Sequence, residues 1–143
     1  MESDPLQRFR DVHDRYFGTA LAEVEQGRKT SHWMWFIFPQ LEGLGSSDMA
    51  RRYALRDLDE AGLFLYHEVL GSRLILISRA LLEIPSKTAH EIFGSPDDLK
   101  LRSSMTLFSM IPGADPVFDA VLARYFQGEK DPLTIGLLKK NAG

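Results

Sequence analysis

A helix-capping residue stands directly before proline at Asp4-Pro5, Ser95-Pro96, Asp115-Pro116 and Asp131-Pro132, and apolar residues at helical spacing follow each pair. Serine and aspartate side chains accept from the free N–H groups of a first helical turn. Proline suits that turn because it has no N–H to leave unsatisfied and its φ is already helical. The chain is thus punctuated as a series of helix starts. It nowhere shows the apolar–polar alternation of a half-buried strand. An all-α fold follows, with about seven or eight short helices around one core. At 143 residues, the expectation is one compact domain spanning 1–143.

Behind Ser3-Asp4-Pro5, a cap candidate, the residues Leu6, Phe9, Val12, Tyr16, Phe17, Ala20, Leu21 and Val24 draw one apolar stripe that stops near Gly27. His13 lies inside the stripe and reads as a core residue. Ser31 can cap a short helix through SHWMWFIF that Pro39 ends. The alternative, a buried strand, has no strand elsewhere to pair with. GLGSS reads as a turn, and Ser47 or Asp48 starts MARRYAL. Asp59-Glu60-Ala61 opens DEAGLFLYH. RLILISRALLEI is apolar nearly all round, which predicts a central, buried helix. Pro85-Ser86 starts KTAHEIF, Ser95-Pro96 a helix towards Ile111, Asp115-Pro116 VFDAVLARYF, and Asp131-Pro132 LTIGLLKK.

Several functions are excluded by what is missing. The net charge is −3, and the basic residues are scattered among acids, so the electrostatic footprint of nucleic-acid binding is absent. Without cysteine there is no disulfide, thiolate nucleophile or cysteine-bound metal. MESDPLQRF lacks the layout of a secretory signal, and the run Trp33 to Phe38 is far too short to cross a bilayer, so no membrane partner and a soluble, cytoplasmic location are expected. His13, His32, His67 and His90 form no metal-ligand motif, and GLGSS matches neither phosphate-loop pattern. No motif identifies a cofactor.

Candidate site residues stand out as polar groups where apolar ones belong. On the helix after Pro96, Asp97, Lys100 and Ser104 are spaced i, i+3, i+7 within the face that carries Leu101, Met105, Phe108 and Ile111, whereas Arg102, Thr106 and Ser109 fall on the opposite, polar side. Charged groups are not buried without partners. Either Asp97 pairs with Lys100 while Ser104 bonds back to a carbonyl, or the line borders a wet cavity. In the second case Lys100 stabilises an anion, Ser104 orients a hydroxyl, and Asp97 orients Lys100 or acts as acid or base. Arg73, in the first turn of its helix and so opposed by the helix dipole, needs Glu60, Asp59 or a bound anion. Phe36, Ile37 and Phe38 read as core. Trp33 and Trp35, with His32, Lys29 and Gln40 around them, are candidates for the wall of a site for a flat ligand.

SHWMWFIFPQ, GLGSS, EAGLFLYHEVLGSRL, IFGSPDDLKLRSSMTLF and FQGEKDPLT occur in an order that resembles the bacterial domain of unknown function 1810 (DUF1810), from about Phe9 onward. Glu68 and Ser72 depart from it, since prolines are common there in the family. The resemblance implies a compact multihelical domain and no chemistry. Some relatives carry the name calpastatin, but calpastatins are disordered, the opposite of this patterned chain. A more remote similarity, in helix order only, is to enzymes that hydrolyse N-glycosidic bonds of ADP-ribose derivatives. The expectation is a pocket for an anionic, nucleotide-like small molecule, with hydrolysis of such a bond as its reaction. Asp97, Lys100 and Ser104 would be catalytic, and His32, Trp33, Trp35, Gln40, Arg73 and Lys29 would bind the ligand. The alternative is a non-enzymatic helical protein-interaction module.

Overall fold

A computed structural model describes residues 4–142. Nine helices are present among them: α1 (Gln7–Glu25), α2 (Met34–Ile37), α3 (Asp48–Tyr53), α4 (Leu58–Leu65), α5 (Leu70–Leu82), α6 (Ala89–Phe93), α7 (Asp97–Ser109), α8 (Val117–Phe126) and α9 (Pro132–Ala142). The chain is therefore all-helical, with more helices than the seven or eight expected. Each of the nine helical segments read along the sequence forms its own element, the short α2 and α6 included, so the total of seven or eight was an undercount. Among the described residues there is no strand, only an isolated parallel bridge between Leu41 and Leu55.

Capping follows the sequence at some helix starts and departs from it at others. Ser47 caps α3 by accepting from Ala50 N–H at 3.1 Å. Asp115 accepts from Val117 N–H at 2.9 Å ahead of α8. Asp57, not Asp59, caps α4, so that helix starts earlier than expected. Thr88 forms a capping box with Glu91 and opens α6 in place of Pro85-Ser86. Neither Ser31 nor Ser95 caps a helix, since the residues that precede α2 and α7 are Trp33 and Pro96. Ser3 lies outside the described residues, while Asp4 Oδ1 accepts from Leu6 N–H at 2.9 Å.

α1 packs on α5, α5 on α8, and α8 on α7; α4 bridges α5 and α7, and α6 and α9 flank α7. A line of edge-on and tilted aromatic rings runs through this arrangement, from Phe9 to Phe64 (5.0 Å), Phe108 (5.7 Å) and Phe118 (5.6 Å). Such pairs add stability beyond the area they bury. The central role expected of α5 is shared with α7, because α5 packs against α1, α4 and α8 whereas α7 packs against α4, α6, α8 and α9. Among the described residues no single helix is long and apolar enough to cross a membrane. α4 and α5 meet that test only jointly, and they turn by 84° where they join.

Candidate functional site

The loop between α1 and α2 is organised by Glu23, a residue that sequence reasoning missed. Its Oε1 accepts from Thr30 N–H (2.7 Å), Ser31 N–H (3.0 Å) and Trp33 Nε1–H (2.9 Å), and its Oε2 from Ser31 Oγ–H (2.6 Å). Burial pulls this carboxyl upward, but the four donors outweigh it and lower it from 4.5 to about 2. Trp33 is therefore fully buried with its indole N–H spent on Glu23, and it is core rather than ligand wall. The only advance sign of this was the need of a buried indole N–H for an acceptor.

This loop carries Lys29 to the start of α7. The ammonium donates to Ser31 O (2.6 Å), pairs with Asp97 Oδ2 (2.9 Å) and lies over the Trp33 ring (5.0 Å). Its side chain is 7% exposed, so Lys29 is consumed by the protein itself. Asp97 also faces Lys100, at 3.5 Å, and the Lys100 amine stands over the half-buried Trp35 ring at 5.4 Å. Asp97 is thus shared by two ammoniums, and Lys100 is the less tightly held.

Lys100 lines an open cleft of about 600 Å³ formed by α7, the turn before α3 and the start of α9. Gln40 lines the same cleft, as do Leu44, Leu99, Ser103, Asp131 and Leu133. The other expected residues lie elsewhere. Ser104 is fully buried, and its Oγ has no hydrogen-bond partner, so it neither reaches the cleft nor bonds back to a carbonyl. His32 is exposed and outside the walls of the cleft. Arg73 pairs with Asp14 at 3.0 Å instead of Glu60 or Asp59 and lines a different pocket, while Glu60 holds Arg8 (2.7 Å) and Arg56 (3.1 Å).

Asp131 is the second missed residue. Its Oδ2 accepts from Ser103 Oγ–H (2.9 Å), Thr134 Oγ1–H (2.6 Å) and Thr134 N–H (3.3 Å), whereas Oδ1 receives only a long bond from Leu133 N–H (3.4 Å). Burial raises this carboxyl, but the hydrogen bonds override it and hold it below the usual carboxylate range. Asp131 was legible as a helix start. Its role in the cleft was not, because periodicity puts Thr106 on an outward polar face. Thr106 is in fact fully buried and accepts from Asp131 N–H at 2.9 Å, and Arg102 donates to the carbonyls of Glu129 and Lys130, each at 2.9 Å. The polar side of α7 is bonded to the segment before α9. Among the described residues no group of three histidines or carboxylates could hold a metal ion.

His13 is buried as expected of a core residue. Phe36 O can only accept, so the Nε2 that contacts it at 2.6 Å carries the ring proton, and Nδ1 is buried without a partner. Burial, aided by the charge of Arg73, lowers the imidazole from 6.5 to about 4. Because the folded state disfavours the proton, the contribution of this group is complete above pH 6.5 and is lost as pH falls from there towards 4. About 3 kcal/mol is expected to go in that window. Urea unfolding at pH 7 and pH 4.5 measures it against a His13→Leu control. Equal pH slopes in the two proteins would contradict it.

A family model described as Protein of unknown function (DUF1810) matches residues 3–138. The crystal structure of the conserved hypothetical protein Rv1873 from Mycobacterium tuberculosis is similar at 45% sequence identity and a TM-score of 0.92, covering 95% of this chain and 99% of that one. No curated protein matches the chain.

Proposed function

We propose, since the chain belongs to the DUF1810 family and this kinship brings no chemistry with it, that the cleft beside Lys100 binds a small organic anion with a flat or apolar body. The observation that carries the reading is the state of Lys100. Its partner Asp97 is held more closely by Lys29, at 2.9 Å against 3.5 Å, so the Lys100 charge is incompletely balanced at the edge of a cleft. Leu44, Leu99 and Leu133 supply apolar walls, and Gln40 offers an amide to orient a polar edge. The cleft volume lies within the range of small-molecule sites. A nucleotide-like ligand of the ADP-ribose type fits this description, bound by a soluble protein of the cytoplasm.

Binding is the proposal, and hydrolysis of an N-glycosidic bond is not part of it. Cleavage needs a positioned group to assist the departing base. Asp97 is engaged by two ammoniums, Ser104 is sealed from the cleft, and Asp131 is held ionised. A helical interaction module is the competing reading, supported by Leu99 and Leu133, which are 58% and 70% exposed at the rim of the cleft.

Thermal unfolding with AMP, ADP-ribose and NAD tests the proposal, because a ligand of the native state at a hundred times its Kd adds about 2.7 kcal/mol of stability. Lys100→Met should abolish that response while changing intrinsic stability by no more than about 1 kcal/mol, since Asp97 keeps Lys29. A wild-type response in Lys100→Met would end the reading. So would a loss of about 3 kcal/mol, which would make the lysine a structural ion-pair partner. No response from the wild type to any of the three ligands would favour the interaction module.

A further inference from the structure

Arg73 carries a positive charge in the first turn of α5, a helix of 13 residues whose N-terminal end is itself positive. The pocket it lines, about 180 Å³, lies between α1 and that helix start and is walled by Arg10, Asp14, His67, Val69, Leu70 and Arg73. That volume is below the range of drug-sized ligands and suits a single polyatomic ion. We infer that this pocket binds a tetrahedral oxyanion, phosphate or sulfate, through Arg10, Arg73 and His67.

Three features support the assignment. Both guanidiniums keep an N–H buried without an acceptor, Arg10 at Nε and Arg73 at Nη1. Buried donors without acceptors are costly, and an oxyanion accepts from several donors at once. Secondly, His67 Nδ1 accepts from Val69 N–H and Leu70 N–H, both at 3.1 Å, so in the neutral ring the proton sits on Nε2 as a donor. Thirdly, the carboxylates that hold the arginines are surface groups. Asp14, on Arg73 Nη2 at 3.0 Å, has a side chain 74% exposed, and Asp4, on Arg10 Nη2 at 2.8 Å, one 40% exposed. Exposed pairs of this kind are weak. Asp14 therefore acts as a replaceable occupant of the arginine, competing with an incoming oxyanion.

This competition gives the test a sign. Melting temperatures are followed against inorganic phosphate, sulfate and glycerol 3-phosphate at constant ionic strength in chloride. Arg73→Gln reports the general effect of excluded salts, which raises stability without a site. The wild type should show a saturable rise beyond that background, and Asp14→Asn should reach half-saturation at about fivefold lower phosphate, the factor that loss of one exposed carboxylate competitor represents. A saturable response to inorganic phosphate marks a site for the free ion. A response confined to glycerol 3-phosphate marks a site for the phosphate group of a larger molecule, and either outcome upholds the oxyanion. Identical, unsaturable responses in the wild type, Asp14→Asn and Arg73→Gln would overturn the inference. If Arg73→Gln does not fold, the wild type and Asp14→Asn decide by the shift between their midpoints. Lys100→Met leaves this response intact, which separates the pocket from the cleft on α7.

Discussion

Exchanging Gly71 for alanine is expected to destabilise the protein by at least about 3 kcal/mol, against the usual sign for a helix. Gly71 is in the first turn of α5, where that helix leaves α4 at a steep angle. A Cβ at this position would fall 1.7 Å from the carbonyl oxygen of Leu65 and 2.6 Å from its carbonyl carbon. Those are backbone atoms, so no rotamer relieves the overlap and the junction itself has to open. A Cβ added at Gly62 in α4 or at Gly136 in α9 would meet nothing within 4 Å, and alanine there should stabilise by up to about 1 kcal/mol. Urea unfolding of the three variants reads the contrast directly. Should Gly71→Ala unfold beside Gly136→Ala, the close approach of α5 to the end of α4 is wrong.

Removing the Glu23 carboxylate is the second large effect. Glu23→Ala leaves Thr30 N–H, Ser31 N–H, Ser31 Oγ and the buried Trp33 Nε1 without their common acceptor. Hydrogen bonds to a charged acceptor contribute about 1.5–3 kcal/mol each, and donors stranded in the interior bear a desolvation cost. Neighbouring losses are not additive, so a total of about 4 kcal/mol is expected. Glu23→Gln keeps one oxygen and should lose about half of that. The sign with pH is also defined. This carboxyl is depressed in the fold, so its contribution is complete above pH 4.5 and is lost as pH falls towards 2. That window begins where the one assigned to His13 is ending, and Glu23→Gln should remove it. Tryptophan fluorescence during urea unfolding follows both quantities. A Glu23→Ala protein within about 1 kcal/mol of wild type would show that the loop is held by something else.

Legibility differed between the fold and the candidate site. The helices were readable because proline, glycine and capping side chains act on backbone groups a few residues away, as Ser47 does on Ala50 and Asp115 on Val117. The Asp97–Lys100 pair was readable for the same reason, since residues three apart share a helix face. The second partner of Asp97 was not. Lys29 arrives from a loop whose path depends on Glu23, and nothing near Asp97 in the chain records it. Thr106 escaped because periodicity reports which residues share a face, not what covers that face.

By itself the order of residues determined that this chain is helical, roughly where its helices begin and end, and that Lys100 is a charged group on a largely apolar face. Tertiary structure decided which polar residues are spent on the protein and which face a cleft: Trp33 on Glu23, Thr106 on Asp131, Ser104 sealed, Lys100 left at an open edge. The division has one physical cause. A backbone donor at a helix end is satisfied by its neighbours, but a buried side chain is satisfied by whichever distant segment packs against it, and burial sets what an unmet partner costs.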